Sequence, residues 1–66
     1  MEEFYKRLLE EKEQLTDKIF KLSSFIGIDK FKTLPEIQQA LLQVQFQAMK
    51  TYETCLVERL KYLADV

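Results

Sequence analysis

The sequence predicts an all-α protein: a helical hairpin of two long helices that assembles into a compact homo-oligomer. Three observations predict it. The one Gly and the one Pro of the 66 residues, Gly27 and Pro35, stand eight positions apart near the middle of the chain. Sharp turns are thereby confined to one place, whereas strand-rich folds need many. The segments on either side are dense in Glu, Lys, Leu and Gln, which have good helix propensity. In both segments apolar residues recur at steps of three, four or seven.

The first helix is expected over about residues 2 to 26. Phe4, Leu8, Leu15, Ile19, Leu22 and Ile26 form a narrow stripe, interrupted at Glu11 and Lys12, that resembles a coiled-coil seam. Glu3 with Arg7 and Asp17 with Lys21 are i,i+4 pairs in the favourable order, each contributing about 0.2 to 0.5 kcal/mol on an exposed helix. Gly27 follows the stripe, where a left-handed C-terminal cap is easiest without a Cβ, so the helix is expected to stop there.

Residues 27 to 34 then form a connection whose Phe31 and Leu34 plug the open end of the helix pair. Thr33-Leu34-Pro35-Glu36 marks the next start. Thr33 can accept from an exposed amide, Pro35 fits the first turn and Glu36 suits the positive end of the dipole. Either Thr33 or Leu34 can be the formal cap.

From Pro35 to about Leu63 nothing breaks the second helix. Two adjacent rows at seven-residue spacing are apolar: Leu42, Met49, Leu56 and Leu63, then Leu41, Ala48, Cys55 and Tyr62. Ile37, Phe46, Tyr52 and Leu60 widen this face, and Gln38, Gln39, Gln43, Gln45 and Gln47 read as the polar side. Cys55 and Met49 are most simply core residues. One partner helix with a narrow stripe cannot cover so wide a face, which predicts packing against copies of the same chain. The whole of 1 to 66 reads as a single helical domain. A monomer this small buries only about 60% of its unfolded surface, so its core is thin.

Composition also excludes whole classes of function. Ten basic and eleven acidic side chains, net charge -1, provide no broad cationic field for DNA, RNA or an acidic membrane. With no His, no Trp and only Cys55, a Cys/His zinc site, an intrachain disulfide and a His-assisted nucleophile are all ruled out. No apolar run is long enough for a membrane span or a signal-peptide core. A cytosolic protein without catalysis, metal or cofactor is therefore expected.

Four residues, Tyr5, Lys18, Lys21 and Arg59, could form a site. Arg7, Lys18 and Lys21 fall on one flank of the first-helix stripe, within about 60° on a helical wheel, and Tyr5 on the opposite flank. One helix cannot aim both at one ligand. Two first helices crossing antiparallel would bring Tyr5 of one chain to Lys18 and Lys21 of the other, an aromatic plate beside two cations, as a stacked base and its phosphate require. The plainer alternative, favoured by the residues alone, packs Tyr5 on the bundle end and leaves the lysines solvated. Arg59 lies beside Tyr52, Leu56 and Leu63 rather than on the polar side. A cation in a seam usually sets register or pairs with a carboxylate such as Glu53 or Glu58 of a neighbouring chain, and the alternative is an anion bound where copies converge.

The residue order is also similar to a known family. Arg7-Leu8 with Glu11, Leu15, Lys18-Ile19, Lys21-Leu22 and Phe25-Ile26 begin the pattern. Phe31 and Leu34 continue it, followed by Leu41-Leu42, Gln45, Met49, Tyr52, Leu56 and Arg59-Leu60. Together they resemble the small phage proteins of the second type of anti-CBASS sponge and their crAss-phage relatives, over nearly the whole chain. The resemblance implies a hexamer of helical hairpins that sequesters cyclic di- or trinucleotides of bacterial antiphage signalling, uncleaved, in the cytoplasm of the infected host. It implies an aromatic that stacks on a base, carried over to Tyr5 with Phe4 as second choice. A lysine meeting a phosphate carries over to Lys18 or Lys21. An arginine lining a separate trinucleotide pocket, where three chains meet, carries over to Arg59. The rival from another class is a structural or adaptor coiled coil whose partner is another protein.

Overall fold

The computed structural model describes residues 2–64 and consists of three helices: α1 (Glu2–Ile26), α2 (Asp29–Lys32) and α3 (Glu36–Ala64). The two long helices pack against each other as a hairpin, in line with the all-α class the sequence predicts. They run antiparallel. Ile26 shares a groove with Phe46 near one end, Thr16 donates a hydrogen bond to the Glu53 carboxylate midway, and Leu8 shares a groove with Leu63 at the other.

The core is a single line of side chains between α1 and α3. Leu8, Leu15 and Leu56 are buried, with Ile19, Met49, Leu60 and Leu63 packed around them. Leu56 is fully shielded from solvent and is the centre of this cluster. The stripe of α1 is therefore used as its spacing implies, except at its first member. Phe4 is 52% exposed, because at the open end of the hairpin it faces a groove rather than a packed layer. Lys12, at the interruption, is half-buried while Leu8 and Leu15 on either side stay covered.

The two apolar rows of α3 have different fates. Leu42, Met49, Leu56 and Leu63 turn toward α1 and are buried or half-buried. Leu41, Ala48, Cys55 and Tyr62, about 100° further round the helix, are all exposed. The expectation that Cys55 is a core residue is thus corrected: α1 is too narrow to reach past the first row, and the thiol is free and exposed.

The connection departs from expectation in two details. Gly27 has no positive φ, so the left-handed cap is not formed. Its amide donates to Ser23 O at 3.3 Å and the Ile28 amide donates to Phe25 O at 3.2 Å, so α1 ends by tightening its last turn instead. Thr33 does not cap α3 either. It closes α2, where its hydroxyl donates back to Lys30 O at 2.6 Å. The start of α3 is organised by the Pro35 carbonyl, which accepts from the amides of Gln38 (2.9 Å) and Gln39 (3.1 Å). The Gln39 side chain returns the interaction, donating Nε2 to Leu34 O at 2.8 Å. Phe31 is buried under this turn, its ring meeting that of Phe25 edge-on with centroids 6.0 Å apart.

The hairpin is a rod, 48 × 14 × 13 Å, with a radius of gyration of 15.0 Å where a compact chain of this length has about 11 Å. Truncating Leu56→Ala opens a cavity at the one fully buried side chain among the described residues and is expected to lower stability by about 2 to 5 kcal/mol. Urea denaturation at matched protein concentration reads this directly, and a loss below 1 kcal/mol would mean that the packing centre lies elsewhere.

Candidate functional site

Both of the i,i+4 ion pairs expected on α1 are formed. Arg7 lies 3.7 Å from Glu3, and Lys21 Nζ lies 3.0 Å from Asp17. All four side chains are well exposed, so each pair contributes only a few tenths of a kcal/mol. The distinction between the two lysines is useful: Lys21 has a carboxylate partner, whereas Lys18 has no ion pair among the described residues and stays exposed. Lys18 is the cation more available to an incoming anion.

Tyr5 is exposed at 38% on the flank of α1 that also carries Thr16, the residue hydrogen-bonded to Glu53. Arg7, Lys18 and Lys21 occupy the opposite flank. Thirteen residues of helix separate Tyr5 from Lys18, about 20 Å along the axis. Within one chain the two cannot touch the same small ligand.

Arg59 is exposed, and no ion pair to Glu53 or Glu58 of its own chain is present among the described residues. It lines a groove of about 470 Å³ at the open end of the hairpin, together with Phe4, Leu8, Glu58, Tyr62 and Leu63. A volume of this size falls within the range of small-ligand sites, about 300 to 1,000 Å³. The groove combines a planar, permanently charged guanidinium with two aromatic rings, which suits an anion attached to a flat ring system. Glu58 on its wall disfavours a purely anionic occupant. Tyr62 escaped sequence reasoning as a site residue because its row reads as seam. Its signal was its place one helical turn beyond Arg59, on the same side of α3.

A second groove, about 520 Å³, lies near the closed end between Ile26 and the Ala40, Gln43, Val44, Phe46 and Gln47 stretch of α3. None of its lining residues is charged, and its polar lining side chains are those of Gln43 and Gln47. Among the described residues no three His, Cys, Asp or Glu side chains converge on a possible metal site, and no helix is long and apolar enough to cross a membrane.

Fold and surface together define a small helical-hairpin protein with exposed aromatics and cations and with much of its apolar surface unpaired. The chain belongs to the Sequestin family, whose profile matches residues 2–62. It is 44% identical over 54 residues to the uncharacterized 7.5 kDa protein in the denB-rIIB intergenic region of Enterobacteria phage T4, an alignment covering 82% of this chain and 84% of that protein. No solved structure matches.

Because Lys18 and Lys21 are solvated and contribute no core contact, Lys18→Ala and Lys21→Ala are expected to change stability by less than about 0.5 kcal/mol. Thermal unfolding followed by circular dichroism checks this. A larger loss in either variant would show that the flank is structural, and binding defects there could not be read as lost ligand contacts.

Proposed function

We propose that the protein is a phage anti-defence sponge. It binds and sequesters cyclic di- or trinucleotide messengers of bacterial CBASS immunity, stoichiometrically and without cleaving them, in the cytoplasm of the infected host. It works as a homo-oligomer, in the resemblance a hexamer. Tyr5 stacks on a base and Lys18, or Lys21 once released from Asp17, meets a phosphate, with the two contributed by different chains. Arg59 holds phosphate in a separate pocket where chains meet.

The observation that carries this reading is the groove at the open end of the hairpin in a chain of the Sequestin family, which an exposed Arg59 lines together with Phe4 and Tyr62. The family name speaks of sequestration and the T4 relative is a phage protein. The chemistry is that of a binder: flat rings for bases, and in Lys18 and Arg59 exposed cations for phosphates. The placement of Tyr5 and Lys18 on opposite flanks of α1 supports a site made by more than one chain. The competing adaptor reading draws on the exposed apolar row of α3, and it predicts no heat from any cyclic nucleotide.

Titration calorimetry with a panel of cyclic di- and trinucleotides tests the reading. Binding at micromolar concentration or tighter is expected, and the ligand should be recovered chemically intact by chromatography. Tyr5→Ala should weaken dinucleotide binding by about 1 to 3 kcal/mol if a base stacks there. Lys18→Ala should weaken it comparably and flatten its salt dependence, since a phosphate contact is lost. No binding across the panel, or a hydrolysed ligand, would end the sponge reading.

A further inference from the structure

The seam inside the hairpin repeats every seven residues on both helices. Leu8, Lys12, Leu15, Ile19 and Leu22 of α1 follow steps of 4, 3, 4 and 3, and so do Met49, Glu53, Leu56, Leu60 and Leu63 of α3. All ten side chains are buried or half-buried. Two of them are charged, Lys12 on one helix and Glu53 on the other. A seven-residue apolar repeat holds two helices face to face without fixing how far one is slid along the other, and single polar seam residues are what usually fix it.

In the hairpin as it stands, the Glu53 carboxylate accepts a hydrogen bond from the Thr16 hydroxyl. Among the described residues it is the only side-chain hydrogen bond that joins α1 to α3. Sliding α1 one heptad toward the connection, about 10 Å, sets Leu8 beside Leu56 and Leu15 beside Met49, apolar on apolar once more. Burial therefore does not choose between the two registers. The polar groups do: the slide brings Glu53 to Leu9, which has no donor, and Thr16 to Phe46, which has no acceptor. A half-buried carboxylate that loses its donor costs more than the bond itself is worth. Lys12 does not decide the matter, because it lies four residues from Thr16 and three from Leu9, about one turn from Glu53 in either register. The opposite slide draws the connection taut by the same distance, whereas this one only slackens it.

We propose that Thr16 and Glu53 are positioning residues for the Arg59 groove: their hydrogen bond fixes the register of α1 on α3, at a cost in stability that an apolar side chain in place of Glu53 would not carry. The register matters most at the open end. The groove exists because Phe4 and Leu8 of α1 meet Arg59, Tyr62 and Leu63 of α3. The slid register carries Phe4 and Leu8 about 10 Å along α3 and leaves Arg59 and Tyr62 without their wall. That the groove holds a ligand rests on the sponge reading, whereas the register does not.

Paired spin labels read the register directly. Glu10→Cys and Gln38→Cys, at exposed positions of α1 and α3, are labelled in a Cys55→Ser background and diluted with unlabelled protein, so that only distances within one chain are measured. This parent should give one narrow distance. Glu53→Leu and Thr16→Val should each add a second distance about 10 Å shorter, the length of one heptad. Glu53→Gln should keep the single distance, because its amide oxygen still accepts from Thr16. Glu53→Leu should also unfold at the same temperature as the parent or a higher one, which separates lost register from lost fold. In calorimetry with a cyclic trinucleotide, its affinity should fall in proportion to the slid fraction, about twofold where half the chains are slid, since only the remaining register forms the groove. A single unshifted distance in Glu53→Leu or Thr16→Val overturns the proposal, as does a second distance in Glu53→Gln or a lower unfolding temperature in Glu53→Leu. The two readings fail separately: label distances as expected with no cyclic nucleotide bound by the unaltered chain remove the sponge alone, and ligand binding with one distance in every variant removes the register role alone.

Discussion

The governing constraint is a mismatch of widths. Helix α3 is apolar in two directions about 100° apart, while α1 offers one narrow stripe, so an intrachain contact can satisfy only one of the two. Leu56 and its row win because Leu8 and Leu15 fit beside them, and Leu41, Val44, Ala48 and Tyr52 are left in water. The rod shape comes from the length of α1 and α3, and the division adds to it an uncovered apolar row, with the cation Arg59 at its edge.

Where interactions are local, the sequence declares the structure well. The i,i+4 pairs Glu3 with Arg7 and Asp17 with Lys21, the stripe of α1 and the choice of Leu56 as a packing residue all depend on one helical period, and all are seen. What misled was competition for single backbone groups in the connection. Gly27 permits a left-handed cap without requiring one, and the last carbonyls of α1 accept from the amides of Gly27 and Ile28 instead. Thr33 has the side chain of an N-cap but was claimed by the carbonyl of Lys30, leaving Gln39, a residue the helical phase marks only as polar, to bind the connection. Such outcomes differ by about one hydrogen bond, 0.5 to 1.5 kcal/mol, which is below what residue preference alone resolves.

The candidate site was legible to a different degree. The opposition of Tyr5 and Lys18 could be read from a helical wheel, since it needs only the phase of α1. That Arg59 would share a groove with Phe4 could not, because it depends on the register of two helices across the hairpin. For the same reason helical phase assigns Phe4 to the core stripe, whereas the hairpin's open end supplies nothing to cover it. The two apolar rows of α3 look alike in sequence, and only the width of α1 decides that the row of Cys55 stays exposed.

A binder built this way has a property that a preformed pocket lacks. In the proposed reading, rings and cations that lie on opposite flanks of one hairpin converge only in the assembly, so ligand and assembly stabilise each other by mass action. A ligand that touches two copies favours the associated state by its binding free energy, and association in turn orders the exposed side chains before the ligand arrives, lowering the entropy lost on binding. Sequestration needs this combination of tight binding and slow release rather than turnover, because affinity among related complexes is set mainly by the rate of dissociation. Leaving one apolar row unsatisfied is the least elaborate way for so short a sequence to bring the remaining walls of a site from its own copies.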